Sequence, residues 1–98
     1  MHNRIENRFA DLIISGDYVM TLHAFEEMED DGLDIFDIEN VVLNGKIIEK
    51  QKDLLTGELK YRFKGQTLSN GMAETVLKFG FNGKAVIITV FKTRRKIL

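Results

Sequence analysis

The most constraining feature of this 98-residue chain is a change of hydrophobic period near residue 45. Before that point apolar residues recur at helical spacing; after it they alternate. Ile5, Phe9, Leu12 and Ile13 fall on one face of a 3.6-residue repeat, which predicts a helix over residues 4–15, stopped by Ser15-Gly-Asp17. Thr21 is a suitable N-cap for a second helix with Leu22, Phe25 and Met28 as its apolar stripe. Asp30-Asp-Gly32 ends that helix, with Gly32 suited to the left-handed position after it. Asp34 caps a third, whose Ile35, Ile38, Val41 and Val42 face inward and which Asn44-Gly45 terminates.

Ile47 to Lys52 then reads as a short strand, and Asp53 to Gly57 as a hairpin connection. Leu59, Tyr61 and Phe63 alternate with Lys60, Arg62 and Lys64, the mark of a half-buried strand. Residues 65–71 read as a polar loop. Thr75, Leu77, Phe79 and Phe81 alternate in a third strand, and Asn82-Gly83 predicts a type I′ hairpin. Ala85 to Lys92 is nearly all apolar and predicts a central strand buried on both faces. Segregated helices and strands imply one α+β domain, with about three N-terminal helices on one face of a roughly four-stranded antiparallel sheet. No proline interrupts any element.

The net charge of −1 conceals a polarity. Residues 1–45 hold Arg4 and Arg8 against eleven acids, whereas residues 46–98 hold twelve Lys/Arg against four acids. Such asymmetry points to a basic half that meets an anion, or to two halves that neutralise each other on folding. The absence of cysteine excludes disulfides and a thiolate zinc site, and fits a reducing cytoplasm. No apolar run suggests a signal or a membrane span, so a cytoplasmic chain without a membrane partner is expected.

His23 is the one histidine away from the N-terminus, where His2 is the other. Glu26 and Glu27 lie three and four residues on, within reach of its ring on a helix. The pattern suits a general acid/base, and equally a boundary histidine with a hydrogen bond and no chemistry. A metal reading fails on ligand count, and no cofactor motif is legible. Lys60, Arg62 and Lys64 share one strand face, which Lys50, Lys52 and Lys78 could join as a phosphate-binding surface. The alternative is a solvated face with lysines that discourage edge pairing. Thr89 is a polar residue within an apolar strand, and Thr93-Arg94-Arg95-Lys96 forms a basic tail. An open edge at residues 87–91 could also pair with a second copy to give a homodimer.

Three short motifs in order resemble a bacterial family, the domain-of-unknown-function family numbered 4258. They are His23-Ala-Phe-Glu-Glu-Met28 with Gly32-Leu33, then Lys60-Tyr61, then Ile88-Thr-Val-Phe91, spanning residues 18–92. The resemblance implies a fold like the barnase/RelE group of small ribonuclease toxins, and a zinc-finger antitoxin of the MqsA type as partner. It implies metal-independent RNA cleavage by attack of the 2′-hydroxyl on the adjacent phosphate. His23 would move the proton, Lys60 and Arg62 would stabilise the phosphate, and Tyr61 and Thr89 would position it. Lys92 is a further phosphate candidate, and Lys50, Lys52, Lys64, Lys78, Arg94 and Arg95 would bind RNA. The family usually carries arginines where this chain has Glu27 and Asp31. Either RNA then approaches only from the sheet side, or this member has lost the activity and is a non-catalytic nucleic-acid- or protein-binding module of the same fold.

Overall fold

In the computed structural model, which describes residues 3–69 and 71–93, three helices and five strands follow the change of period. Helix α1 spans Arg4–Ile14, strand β1 Tyr18–Met20, α2 Leu22–Asp30, α3 Ile35–Asn44, β2 Lys46–Lys52, β3 Leu59–Gln66, β4 Met72–Phe79 and β5 Ala85–Lys92. Side-chain caps start each helix. Asn3 and Glu6 form a reciprocal capping box on α1, as Asp34 and Asp37 do on α3, and the Thr21 hydroxyl accepts from Ala24 N–H on α2. Gly32 has φ 69°, the left-handed conformation expected after α2.

The sheet order is β1-β5-β4-β3-β2. The four expected strands form an antiparallel meander, and a fifth joins them. Tyr18–Met20 pairs parallel with residues 85–87 of β5, so the sheet is mixed rather than wholly antiparallel. Three residues are too few to show a period of two; this strand exists because β5 supplies its hydrogen bonds. The β4–β5 connection also differs from expectation. Gly80 N–H donates to Lys84 O at 2.7 Å, Gly83 N–H to Gly80 O at 3.0 Å, and Gly83 has φ 86°. This is a three-residue loop ending in a left-handed glycine, a longer solution than the two-residue type I′ turn.

The helices pack on one sheet face. Phe9 of α1 is fully buried, stacks on Phe79 at 4.0 Å between centroids, and meets Tyr61 and Phe63 edge-on at 5.6 Å. Ile38, Val41 and Val42 of α3 and Leu77, Ile87 and Val90 of the sheet complete the core. Helix α3 lies very close to β3: a Cβ on Gly45 would sit 2.4 Å from the Lys64 carbonyl, and one on Gly65 would sit 2.9 Å from the Gly45 Cα. Strand β5 is interior, yet one of its faces is uncovered by helices, with Val86 and Thr89 half-buried, so it is not buried on both faces.

Helix α2 departs from its expected stripe. Ala24 and Met28 are buried, whereas Leu22 is 72% and Phe25 44% exposed. The reason lies in where α2 sits. It continues along β5 where β1 stops, and the small Ala24 side chain lets the helix approach that strand closely.

Candidate functional site: the open face of the sheet and its α2 edge

Register decides which cations share a surface. Across paired strands, opposite residues point to the same face. Glu49 stands opposite Arg62, Arg62 opposite Val76, and Val76 opposite Thr89, forming one row across the helix-free face. Lys64 faces Lys46 on one side and Glu74 on the other, and Glu74 faces Phe91. Lys60 pairs with Gln51, and Lys78 with Val86, on the same face.

The expected cation stripe of Lys60, Arg62 and Lys64 is therefore present, with Lys78 beside it. Lys50 and Lys52 do not join it. The register shift between Ile47 and Glu49 places them opposite Tyr61 and Leu59, on the helix side of the sheet. Tyr61 is itself a core residue, 6% exposed and packed against Phe9, so it belongs to the helix-packed face and not to the cationic one. A second shift, between Val76 and Leu77, leaves Ile88 as the extra residue of β5 and turns Thr89 onto the open face. The buried Thr75 hydroxyl donates to the Thr89 carbonyl at 2.9 Å beside that bulge.

The cations differ in what surrounds them. Arg62 lies between two carboxylates, with Nη2 3.3 Å from Glu49 Oε1 and Nε 3.5 Å from Glu74 Oε1. Its Nε is buried and makes no hydrogen bond. Glu74 is 8% exposed and also accepts from the Thr93 hydroxyl at 2.9 Å. Lys78 pairs with Glu58 at 3.0 Å. Among the described residues, Lys46, Lys60 and Lys64 form no salt bridge, though Asp53 lines the same surface hollow as Lys60 and feels its charge. Lys46 and the Glu49–Arg62–Glu74 clamp were not anticipated from the sequence. The period of two gave a signal for Lys46, but the clamp needs the strand order.

The opposite rim of the sheet is acidic. His23 is 69% exposed, and its Nε2 lies 3.2 Å from Glu27 Oε1. Glu27 is held in turn, because the same oxygen accepts Val90 N–H at 3.2 Å. One helical turn on, Asp31 Oδ2 accepts Lys92 N–H at 2.7 Å. These two carboxylates serve the edge of β5 beyond β1, and Thr21 extends the seam by donating N–H to Ile87 O and its hydroxyl to Ile88 O. Along residues 87–91, Ile87 O, Ile88 O and Val90 N–H on this edge thus take partners from Thr21 and α2. An open cleft of about 590 Å³ beside it is lined by Glu27, Asp30, Asp31 and Glu74, with Lys92 and Thr93. Lys92 opposes Ala73 across the β4–β5 pair and is exposed at this acidic rim. Arg94 and Arg95 lie outside the described residues.

His23 therefore stands at the outer edge of β5, while Lys60 and Arg62 are on β3. Two strand spacings, about 10 Å, separate those strands. Thr89 precedes Val90, whose N–H Glu27 accepts, and so shares its strand with the Glu27 contact. Among the described residues, no cluster of three or more His, Asp or Glu side chains is arranged to hold a metal ion. No helix is long and apolar enough to cross a membrane.

With this geometry in view, comparison with known proteins gives one match. The family model described as "Domain of unknown function (DUF4258)" covers residues 20–92, and the chain belongs to that family. Neither a curated protein nor a solved structure matches it.

Proposed function

We propose that this member of the family is a nucleic-acid-binding module that holds single-stranded RNA on the open face of the sheet. The observation that carries this reading is the set of three lysines, Lys46, Lys60 and Lys64, that form no salt bridge on a helix-free face. Lys60 and Lys64 stand four residues apart, about 13 Å along the strand, so they reach different phosphates of an extended chain. Phe91, half-buried on the same face, offers a ring for a base to stack on. Arg62 contributes less than its position suggests, because Glu49 and Glu74 already compensate its charge.

The test is retention of a labelled single-stranded RNA as salt rises. Wild-type protein should bind at low salt, and log affinity should fall linearly with log salt. Each phosphate contact removed, by Lys60→Ala or Lys64→Ala, should reduce that slope by about 0.7. His23→Ala should bind as wild type. Failure to retain RNA at low salt overturns the reading.

A second reading is RNA cleavage within a barnase/RelE-like fold, and the His23–Glu27 pair favours it. The carboxylate is fixed by the β5 backbone and orients an exposed imidazole, as a general acid/base requires. The 2′-hydroxyl would attack phosphorus and expel the 5′-oxygen, leaving a 2′,3′-cyclic phosphate, with His23 transferring the proton. The separation from β3 and the intervening carboxylates give this reading less support than binding. Incubation with single-stranded RNA and a chelator decides it: cyclic-phosphate products lost in His23→Ala support cleavage, and intact RNA with wild-type protein ends it. In this reading a zinc-finger antitoxin of the MqsA type is the protein partner.

A further inference from the structure

The ends of the two hairpins and the turn after α1 meet at one end of the sheet. Lys78 Nζ, near the end of β4, lies 3.0 Å from Glu58 Oε2 on the β2–β3 connection. Ala85 N–H, at the start of β5, donates to Asp17 O at 3.1 Å. Four apolar side chains project here: Ile14 is 73%, Leu54 95%, Leu55 97% and Phe81 107% exposed.

These tips are held in place. The Asp53 carboxylate accepts N–H from Leu55 at 2.8 Å and from Thr56 at 3.0 Å. The Thr56 and Leu55 bonds hold that carboxyl below the usual range of an aspartic acid. Gly83, in the left-handed conformation, closes the loop that carries Phe81.

Near-complete exposure means that the tips do not pack on one another. A stable protein interface needs a continuous, close-packed core. Separate apolar projections suit a fluid phase that each can enter singly. The charges agree with that choice. Lys52 and Lys60 flank the leucine turn and Lys84 the Phe81 turn, while Arg8 lies over Phe79 at 4.0 Å. Of the neighbouring acids Glu58 pairs with Lys78, while Asp17 and Asp53 keep their charge and are outnumbered by the cations around them. Cations around apolar tips complement anionic lipid headgroups, and repel the same end of a second copy.

We propose that this end of the sheet docks peripherally on an anionic lipid surface. Leu54, Leu55 and Phe81 enter the boundary between headgroups and acyl chains, and Lys52 and Lys84 meet the lipid phosphates. The contact needs no spanning segment, and it does not rest on RNA binding, because the leucines lie off the open face.

The experiment is co-sedimentation of the full chain with vesicles of phosphatidylcholine and phosphatidylglycerol in equal parts, against vesicles of phosphatidylcholine alone. Wild-type protein should bind the anionic vesicles at low salt and bind the neutral ones at least about tenfold more weakly. The double variant Leu54→Glu/Leu55→Glu should lose at least about tenfold on anionic vesicles, with unchanged circular dichroism and unchanged RNA behaviour. Phe81→Glu, on the other turn, is an independent second variant. Wild-type protein that stays in the supernatant with anionic vesicles overturns the proposal and turns the tips over to a protein partner. Undiminished binding by both variants overturns it too, since lysines alone would then account for the association.

Discussion

The α2 edge of β5 and the β2–β3 half of the open face use charge in opposite ways. At the edge, Glu27 and Asp31 accept backbone N–H groups of Val90 and Lys92 and finish a strand that β1 leaves unpaired. Elsewhere on the helical side, Glu6 accepts Ile47 N–H and Asp37 accepts both Asp34 N–H and Leu68 N–H. On the β2–β3 half, Lys46, Lys60 and Lys64 perform no such task among the described residues. The difference follows from chemistry: a carboxylate is an acceptor and can satisfy a backbone donor, whereas an ammonium cannot. Glu27 and Asp31, which stand where the family usually carries arginines, are thus partly structural, and the lysines remain available to a ligand.

If this contrast is right, carboxylate deletions should cost stability and lysine deletions should not. Asp37→Ala removes the α3 capping box and leaves the Leu68 N–H without its acceptor, so it should lower unfolding free energy by about 3 kcal/mol in a urea titration. Glu27→Ala should cost about 1–2 kcal/mol by leaving Val90 N–H unpaired, with Glu27→Gln retaining most of that stability. Equal stability of Glu27→Ala and wild type would show that the β5 edge does not need the carboxylate.

Tyr18 gives a smaller, pH-dependent effect. Burial first, then its 2.6 Å hydrogen bond and proximity to Glu39, push its pKa from 10.0 up to about 12. The unfolded chain therefore ionises first as pH rises. The stabilisation is complete below pH 10 and is lost as pH climbs through about 12. Tyr18→Phe should flatten the decline in denaturation midpoint across that interval. Smallest of all, Lys60→Ala and Lys64→Ala should each change stability by less than about 0.5 kcal/mol while weakening RNA retention. A larger loss of stability would place those lysines in the structure and not at the ligand.

Much of the fold is readable from local pattern. Thr21 and Asp34 cap helices, Gly32 ends one, and the alternation of Leu59, Tyr61 and Phe63 puts exactly that set of side chains under the helices, because each signal depends on neighbours a few residues away. The site is less readable. Lys60, Arg62 and Lys64 share a face as the period requires, but Lys50 and Lys52 leave it through one bulge and Thr89 enters it through another. The family resemblance gives Tyr61 a positioning role, whereas its parity on β3 sends it into the core.

By itself the sequence determined the order of helices and strands, their caps and turns, and the separation of acidic and basic halves. Only the tertiary structure decided that Tyr18–Met20 is a strand, that α2 buries Ala24 in place of Leu22, and that His23 and the β3 cations lie on opposite sides of β4 and β5. The reason is physical: periodicity and capping are short-range properties of the chain, whereas strand partners, bulges and the face a helix buries depend on backbone groups up to sixty or more residues distant, as in the Glu27–Val90 hydrogen bond, where |i−j| is 63.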